Sequence, residues 1–215
     1  MQTTHVEQQL VIQNLGFERN NIPLLDQINS TANAGELLQV RGANGCGKST
    51  LLRLLAGYLE PHSGAIFWQN QSITEQCDTY QQHIHYVGHR NGIKPILTVT
   101  ENLKLLCALN QIPFHAATIK TVLTKMGLQH AADKQACHLS AGQLRRLALA
   151  RLSLNRSKIW ILDEPTTALD TTGQAVLTDL LTEHLTDGGL AIIATHHDLD
   201  LSYPVKTLLL GAKHA

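Results

Sequence analysis

The segment Gly42-Ala43-Asn44-Gly45-Cys46-Gly47-Lys48-Ser49 combines three glycines, a lysine and a hydroxyl at a spacing suited to holding phosphate. The glycines let the backbone wrap so that successive N–H groups point inward at phosphate oxygens. A helix opening at this point adds partial positive charge. Lys48 can then reach the β- and γ-phosphates of a nucleoside triphosphate, and Ser49 can hold Mg²⁺. Thr50 is a further phosphate contact. The apolar run Leu37 to Arg41 before the loop and the helical pattern Lys48 to Ala56 after it complete the context, which a mere glycine-rich turn would not need. Cys46 is small enough for the loop, and surroundings that attract phosphate also favour its thiolate.

A second constellation follows the apolar run Ile159-Trp160-Ile161-Leu162, which delivers Asp163 and Glu164 to its end. Ligands of open α/β sheets bind at the C-terminal edge of the strands. Asp163 there would support Mg²⁺, directly or through water. Glu164 would orient and polarise an attacking water as general base. Alone, the pair could be an exposed acidic turn; beside a phosphate loop it reads as hydrolytic machinery.

These residues need a scaffold of alternating strands and helices. Strands are expected at Leu10 to Phe17, Ile22 to Ser30, Leu37 to Arg41, Ala65 to Trp68, His83 to Val87, Ile159 to Leu162, Leu190 to Ala194 and Val205 to Leu210. Gly57 closes the helix after the phosphate loop. Thr98 and Glu101 have capping-box spacing, with Leu103, Leu106 and Cys107 on one helical face. Pro113 restarts a helix running to about Met126. Gly142 to Leu154 and Thr171 to His184 are further helices. The alternation predicts an α/β fold with a mostly parallel sheet covered on both faces. The chain reads as one domain over residues 1–215, with a helical lobe inserted at about 93–137.

Composition narrows the function classes. The 215 residues are 43% hydrophobic and carry a formal net charge of zero. Lys and Arg are scattered, which argues against a nucleic-acid partner. No apolar run approaches the ~20 residues of a membrane span. Met1 to Gln9 lacks the apolar core of a signal peptide, so the protein is expected to stay where it is made. Cys46, Cys77, Cys107 and Cys137 are far apart, the pattern of a reduced cytosolic chain. Twelve histidines invite a haem-binding reading, and His83 and His85 share strand spacing. No Cys-x-x-Cys-His motif accompanies them, so they read as structural or solvated.

Leu139-Ser140-Ala141-Gly142-Gln143 precedes a helix bearing Arg145, Arg146 and Arg151. With this segment the chain resembles the ABC transporter ATPases over nearly its whole length and in motif order; Ala141 replaces the usual glycine of the signature. The resemblance implies the P-loop NTPase fold of that family, with a small N-terminal antiparallel β part. It also implies ATP and Mg²⁺ as ligands and a head-to-tail homodimer of cassettes. Each ATP would lie between the phosphate loop of one copy and the signature of the other. Ser140, Gly142 and Gln143 would belong to that opposing wall. Ser140 can equally cap its helix. Ala168-Leu169-Asp170 resembles the loop that crosses the dimer interface. His196, directly after Thr195, resembles the switch histidine at the γ-phosphate, with His197 as the alternative register.

Two positions depart from the family pattern. Arg19 falls where an aromatic residue stacks on adenine; a guanidinium can stack similarly, and Phe17 is the alternative. His89 falls where a loop glutamine touches Mg²⁺ and senses the membrane partner; imidazole has a different reach. Gly88-His89, Gly92-Ile93-Lys94, the signature variant and Arg145-Arg146-Leu147-Ala148-Leu149-Ala150-Arg151 are similar to the cytochrome c maturation branch, the CcmA-type haem exporter ATPases. That resemblance implies a peripheral position on the cytoplasmic face of a bacterial inner membrane. It also implies an integral CcmB-like subunit and CcmC- and CcmE-like haem-handling partners. Rival readings are a transporter for another substrate, a soluble ABC ATPase acting on ribosomes or DNA, and a binding-only regulator. The soluble class carries paired cassettes or a long coiled-coil insertion, neither of which is present. Lys48, Asp163 and Glu164 oppose the regulator.

Overall fold

The computed structural model describes residues 9–154, 157–196 and 203–211. It divides into two compact units: 1–86 with 157–163 and 182–215, and 87–156 with 164–181. The predicted helical stretch 93–137 lies within the second unit.

The first unit holds β1 (Gln9–Arg19), β2 (Ile22–Asn33), β3 (Leu37–Arg41), α1 (Lys48–Leu55), β4 (Ser63–Trp68), β5 (Gln71–Ser72) and α2 (Cys77–Gln81). β6 (Ile84–Val87) runs from its boundary, and β7 (Ile159–Asp163), β8 (Leu190–Ala194) and β9 (Val205–Leu209) complete it. Two sheets form. β2-β1-β4-β5 is antiparallel, and its hairpins turn on Asn20-Asn21 and Gln69-Asn70, all four at positive φ. Two consecutive left-handed residues match the twist of a two-residue hairpin, and Asn tolerates that conformation.

The other sheet runs β6-β7-β8-β3-β9, with β3 parallel to both β8 and β9 and β7 parallel to β8. Every residue of β7 and β8 is buried. This is why their sequences are unbroken apolar runs rather than alternating ones. α1 packs against β7 and β8, burying Leu51, Leu52, Leu54 and Leu55. It ends as predicted at Gly57, whose φ of 70° lets the Tyr58 N–H reach Arg53 O at 2.9 Å and its own N–H reach Leu54 O at 3.0 Å. These paired bonds satisfy the last helical carbonyls.

The second unit contains α3 (Val99–Leu109), α4 (Ala116–Lys125) and α5 (Ala141–Ala150). α6 (Thr171–Thr186) starts here and ends in the first unit. The predicted capping box is present: the Glu101 N–H donates to Thr98 Oγ1, and the Thr98 N–H donates to Glu101 Oε2. The backbone and hydroxyl of Thr98 hold the Glu101 carboxyl below its usual range.

Some boundaries differ from expectation. α4 begins at Ala116 rather than near Pro113, because His115 is still extended. α5 stops at Ala150 and tightens into a 3₁₀ turn, Arg151–Ser153. β1 and β2 are longer than expected and carry register shifts beside Asn14 and Gln27, both at positive φ. Such bulges break the two-residue alternation that marks strand ends in a sequence. β5 and α2 were not anticipated; two and five residues are too few to show a period.

Candidate functional site

The parallel sheet lines up its chemistry by register. Val40 pairs with Ala194, and Ala194 pairs with Asp163, so one rung crosses β3, β8 and β7. The phosphate loop leaves two residues beyond Val40, and His196 lies two residues beyond Ala194. Asp163, 2% exposed, stands on the rung itself. Three strand ends thus bring loop, histidine and carboxylate to one edge.

The loop has the backbone that its glycines allow. Gly47 sits at φ 103°, and a Cβ there would come within 2.9 Å of Leu25 Cδ2. Gly47 occupies the N-cap of α1 with no side-chain cap, and the first turn carries no acid. The helix start therefore presents main-chain amides to an anion. The ammonium of Lys48 donates to Gly42 O at 2.9 Å and Ala43 O at 3.1 Å. It also lies 3.1 Å from His196 Nε2. The same Nε2 is 2.9 Å from Asn44 Oδ1. The structure thus brings Lys48, Asn44 and His196 together across about 150 positions of sequence. Ala43, Asn44 and Gly45 are exposed and Cys46 is half-buried. His197 lies outside the described residues.

Ser49 and Thr50 follow in the first turn of α1, both half-buried. The Ser49 hydroxyl and Asp163 carboxylate make an oxygen donor set, the kind that Mg²⁺ takes when it also retains phosphate and water ligands. On that chemistry the residues fit the metal. Among the described residues, no group of three or more His, Cys, Asp or Glu could hold a metal by itself.

Arg19 ends β1 beside the hairpin turn and is exposed. Phe17 is half-buried, its ring edge-on to His62 at 6.4 Å.

In the second unit, Ser140 caps α5. Its Oγ accepts from the Gln143 N–H at 3.2 Å, and Gln143 Oε1 accepts from the Ser140 N–H at 3.0 Å. Ser140 is exposed. A Cβ on Gly142 would lie 2.8 Å from Ala168 O, whereas Ala141 is exposed. The second glycine is therefore held by a close backbone approach that the first position does not have. Asp170 is exposed, and its Oδ1 accepts from the Gly173 N–H at 2.8 Å. Glu164 is half-buried with φ 47°, a left-handed conformation uncommon outside glycine. His89 is exposed.

Sequence reasoning placed Arg145 only among the basic residues of this helix. It is 3% exposed. Its Nε donates to Pro165 O at 3.2 Å and its Nη2 to Glu164 O at 2.8 Å. Its Nη1 donates to Gly88 O and to Asn91 Oδ1, each at 3.1 Å. The available signal was position: three and four residues on, Ala148 and Leu149 are also buried, so Arg145 sits on the inner face.

Comparison with known proteins agrees with this geometry. The ABC transporter family model matches residues 25–167. The cytochrome c biogenesis ATP-binding export protein CcmA of Haemophilus influenzae is 38% identical over 96% of this chain and 98% of its own. That of Vibrio cholerae is 42% identical over 94% and 98%. The solved structure of an ABC transporter ATP-binding protein from Pyrococcus furiosus superposes with a TM-score of 0.81 at 27% identity, covering 94% of this chain and 97% of that one. The phosphate loop, the acid-ended strand and the capped signature helix are thus set in the fold of these relatives, and the chain belongs to the ABC transporter family as one of its ATP-hydrolysing cassettes.

Proposed function

We propose that this chain hydrolyses ATP to energise cytochrome c biogenesis, as the names of its relatives describe for them. The observation that carries the site reading is the Lys48 ammonium, held by two loop carbonyls beside His196 at the uncapped start of α1. Triphosphate oxygens would replace those acceptors around the ammonium. Gly42, Ala43, Asn44, Gly45, Cys46 and Gly47 would line the phosphate chain with main-chain N–H groups, and Thr50 would add a hydroxyl. His196 would donate a ring N–H to the γ-phosphate. Arg19 would lie against adenine.

Ser49 and Asp163 would hold Mg²⁺, with His89 as a further candidate. Bound Mg²⁺ supplies charge neutralisation to the phosphates. Glu164 would orient a water toward the γ-phosphorus and polarise it. The water oxygen bonds to phosphorus as the bond to the bridging oxygen breaks, yielding ADP and inorganic phosphate. Lys48 and His196 would stabilise the charge of the transferring group. A second copy would supply Ser140, Gly142 and Gln143, with Asp170 at the dimer interface. Closure and reopening of this homodimer would be transmitted through the lobe at about 93–137 to an integral CcmB-like subunit.

In this reading the chain is peripheral, on the cytoplasmic face of a bacterial inner membrane. CcmC- and CcmE-like haem-handling proteins are its further partners, and ATP use is linked to haem delivery. No helix among the described residues is long and apolar enough to cross a membrane; in this reading the integral CcmB-like subunit is the membrane-spanning part. The test is purification of the full chain from its native membranes, with identification of accompanying proteins and assay of Mg²⁺-dependent phosphate release. CcmB-like and haem-handling companions with ATPase activity are expected. Companions that form a permease for an unrelated solute would reassign the transported species.

A further inference from the structure

We propose that Arg145 is a positioning residue that links the Gly88–Asn91 loop to the main chain of Glu164. This rests on the reading of Glu164 as the residue that polarises water. A guanidinium is planar and rigid, with its donors in fixed directions. Here Nε and Nη2 grip consecutive carbonyls, Pro165 O and Glu164 O, while Nη1 grips Gly88 O and Asn91 Oδ1. One buried plane therefore spans two loops far apart in sequence. It acts at the place where the chain needs support, because Glu164 is held at φ 47° without glycine's freedom. Fixing the carbonyls on both sides of the Glu164–Pro165 junction fixes the peptide plane, and with it the direction in which the Glu164 side chain leaves. Displacing the Gly88–Asn91 loop would tilt the guanidinium and move those carbonyls.

Arg151 provides an internal contrast. Its Nη2 donates to Asn91 O at 3.0 Å, so it steadies the same loop. Arg146 turns elsewhere, to Met126 O at 2.9 Å. If loop packing alone mattered, Arg145 and Arg151 would be equivalent. If alignment of Glu164 matters, only Arg145 would affect turnover strongly.

The test measures kcat, KM, ATP affinity and thermal midpoint for the full chain in its isolated membrane complex. Arg145→Gln is expected to lower kcat about ten-fold or more, since misplacing a reacting group by ~1 Å costs up to about a hundred-fold. ATP affinity should stay within about two-fold, because the phosphate loop keeps its own contacts. Arg151→Gln should keep kcat within about two-fold. Asn91→Ala should lower kcat less than Arg145→Gln, and the double variant should be no slower than Arg145→Gln alone, as expected for two parts of one bracket. Where Arg145→Gln does not fold, Arg145→Lys decides: it retains the charge and loses the fork, and should show the same loss of kcat with affinity kept. Wild-type kcat in the Arg145 variants beside an inactive Glu164→Gln overturns the link. So does an equal loss in Arg151→Gln, or a parallel loss of affinity. Normal turnover in Glu164→Gln overturns the underlying reading of the site, and this inference with it.

Discussion

At the scale of single residues, the loop cysteine and a half-buried histidine make opposite demands. Cys46 lies where space is short: a Cβ on Gly42 would approach its Sγ to 2.6 Å. In the proposed site an adduct on that sulfur would occupy the phosphate cradle. Alkylation of Cys46, verified by mass spectrometry, is therefore expected to abolish ATP binding; undiminished nucleotide affinity in fully labelled protein would refute this. His184 stacks on Trp160 with ring centroids 3.9 Å apart, and its Nε2–H donates to Leu190 O at 3.1 Å. Burial lowers its pKa to about 4, against the weaker opposing effect of that hydrogen bond. The sign follows from linkage. The unfolded chain binds this proton near pH 6.5 and the folded chain only near pH 4, so the stability contribution is complete above about 6.5 and falls away toward 4. His184→Phe keeps a stacked ring that cannot charge. Urea melts between pH 7 and 4 should show a shallower loss for this variant than for the wild type.

At the scale of elements, two helices start with the same device and serve different ends. Thr98 with Glu101 and Ser140 with Gln143 are both capping boxes. Loss of either cap should cost about 1 kcal/mol. Thr98→Ala is expected to lower the urea midpoint while leaving ATP hydrolysis within about two-fold. Ser140→Ala should show a similar drop in stability and a much larger loss of hydrolysis, because the proposed function places its hydroxyl in the opposing site. Equal hydrolysis in the two variants would reduce Ser140 to a cap. The Thr98–Glu101 box and the cap at Ser140 were legible in the sequence, since both are local contacts; the return bond from Gln143 appeared only in the structure. β7 and β8 were legible for a related reason, as strands buried on both faces cannot alternate. The bulges in β1 and the late start of α4 were not, because local backbone kinks leave no periodic trace.

At the scale of the whole molecule, the proposed function gives the signature residues their purpose through a second copy facing the first. Glu164→Gln is expected to bind ATP, to lose turnover by at least about 100-fold and to persist as an ATP-dependent dimer. Size-exclusion chromatography with light scattering, with and without MgATP, reads this directly. A monomer under both conditions would remove the two-copy site, and wild-type turnover would remove Glu164 from its role. The proposed membrane companion belongs to the same scale, and co-purification from native membranes tests it.

Along the chain, the spacing of Gly42 to Ser49 and the acids closing Ile159 to Leu162 pointed by themselves to nucleoside-triphosphate hydrolysis, and the resemblance at Leu139 to Gln143 narrowed that to the ABC-type ATPases. Each of those features is a continuous segment whose chemistry depends on near neighbours, so no folding is needed to read it. The three-dimensional fold alone decided which distant groups meet. His196 reaches Lys48 because β3 and β8 are parallel and in register. Arg145 is identical in type to Arg146 and Arg151, and only burial and the direction of its donors distinguish it. A side chain's partners across the core follow from packing, and packing is a property of the closed structure rather than of any interval in the sequence.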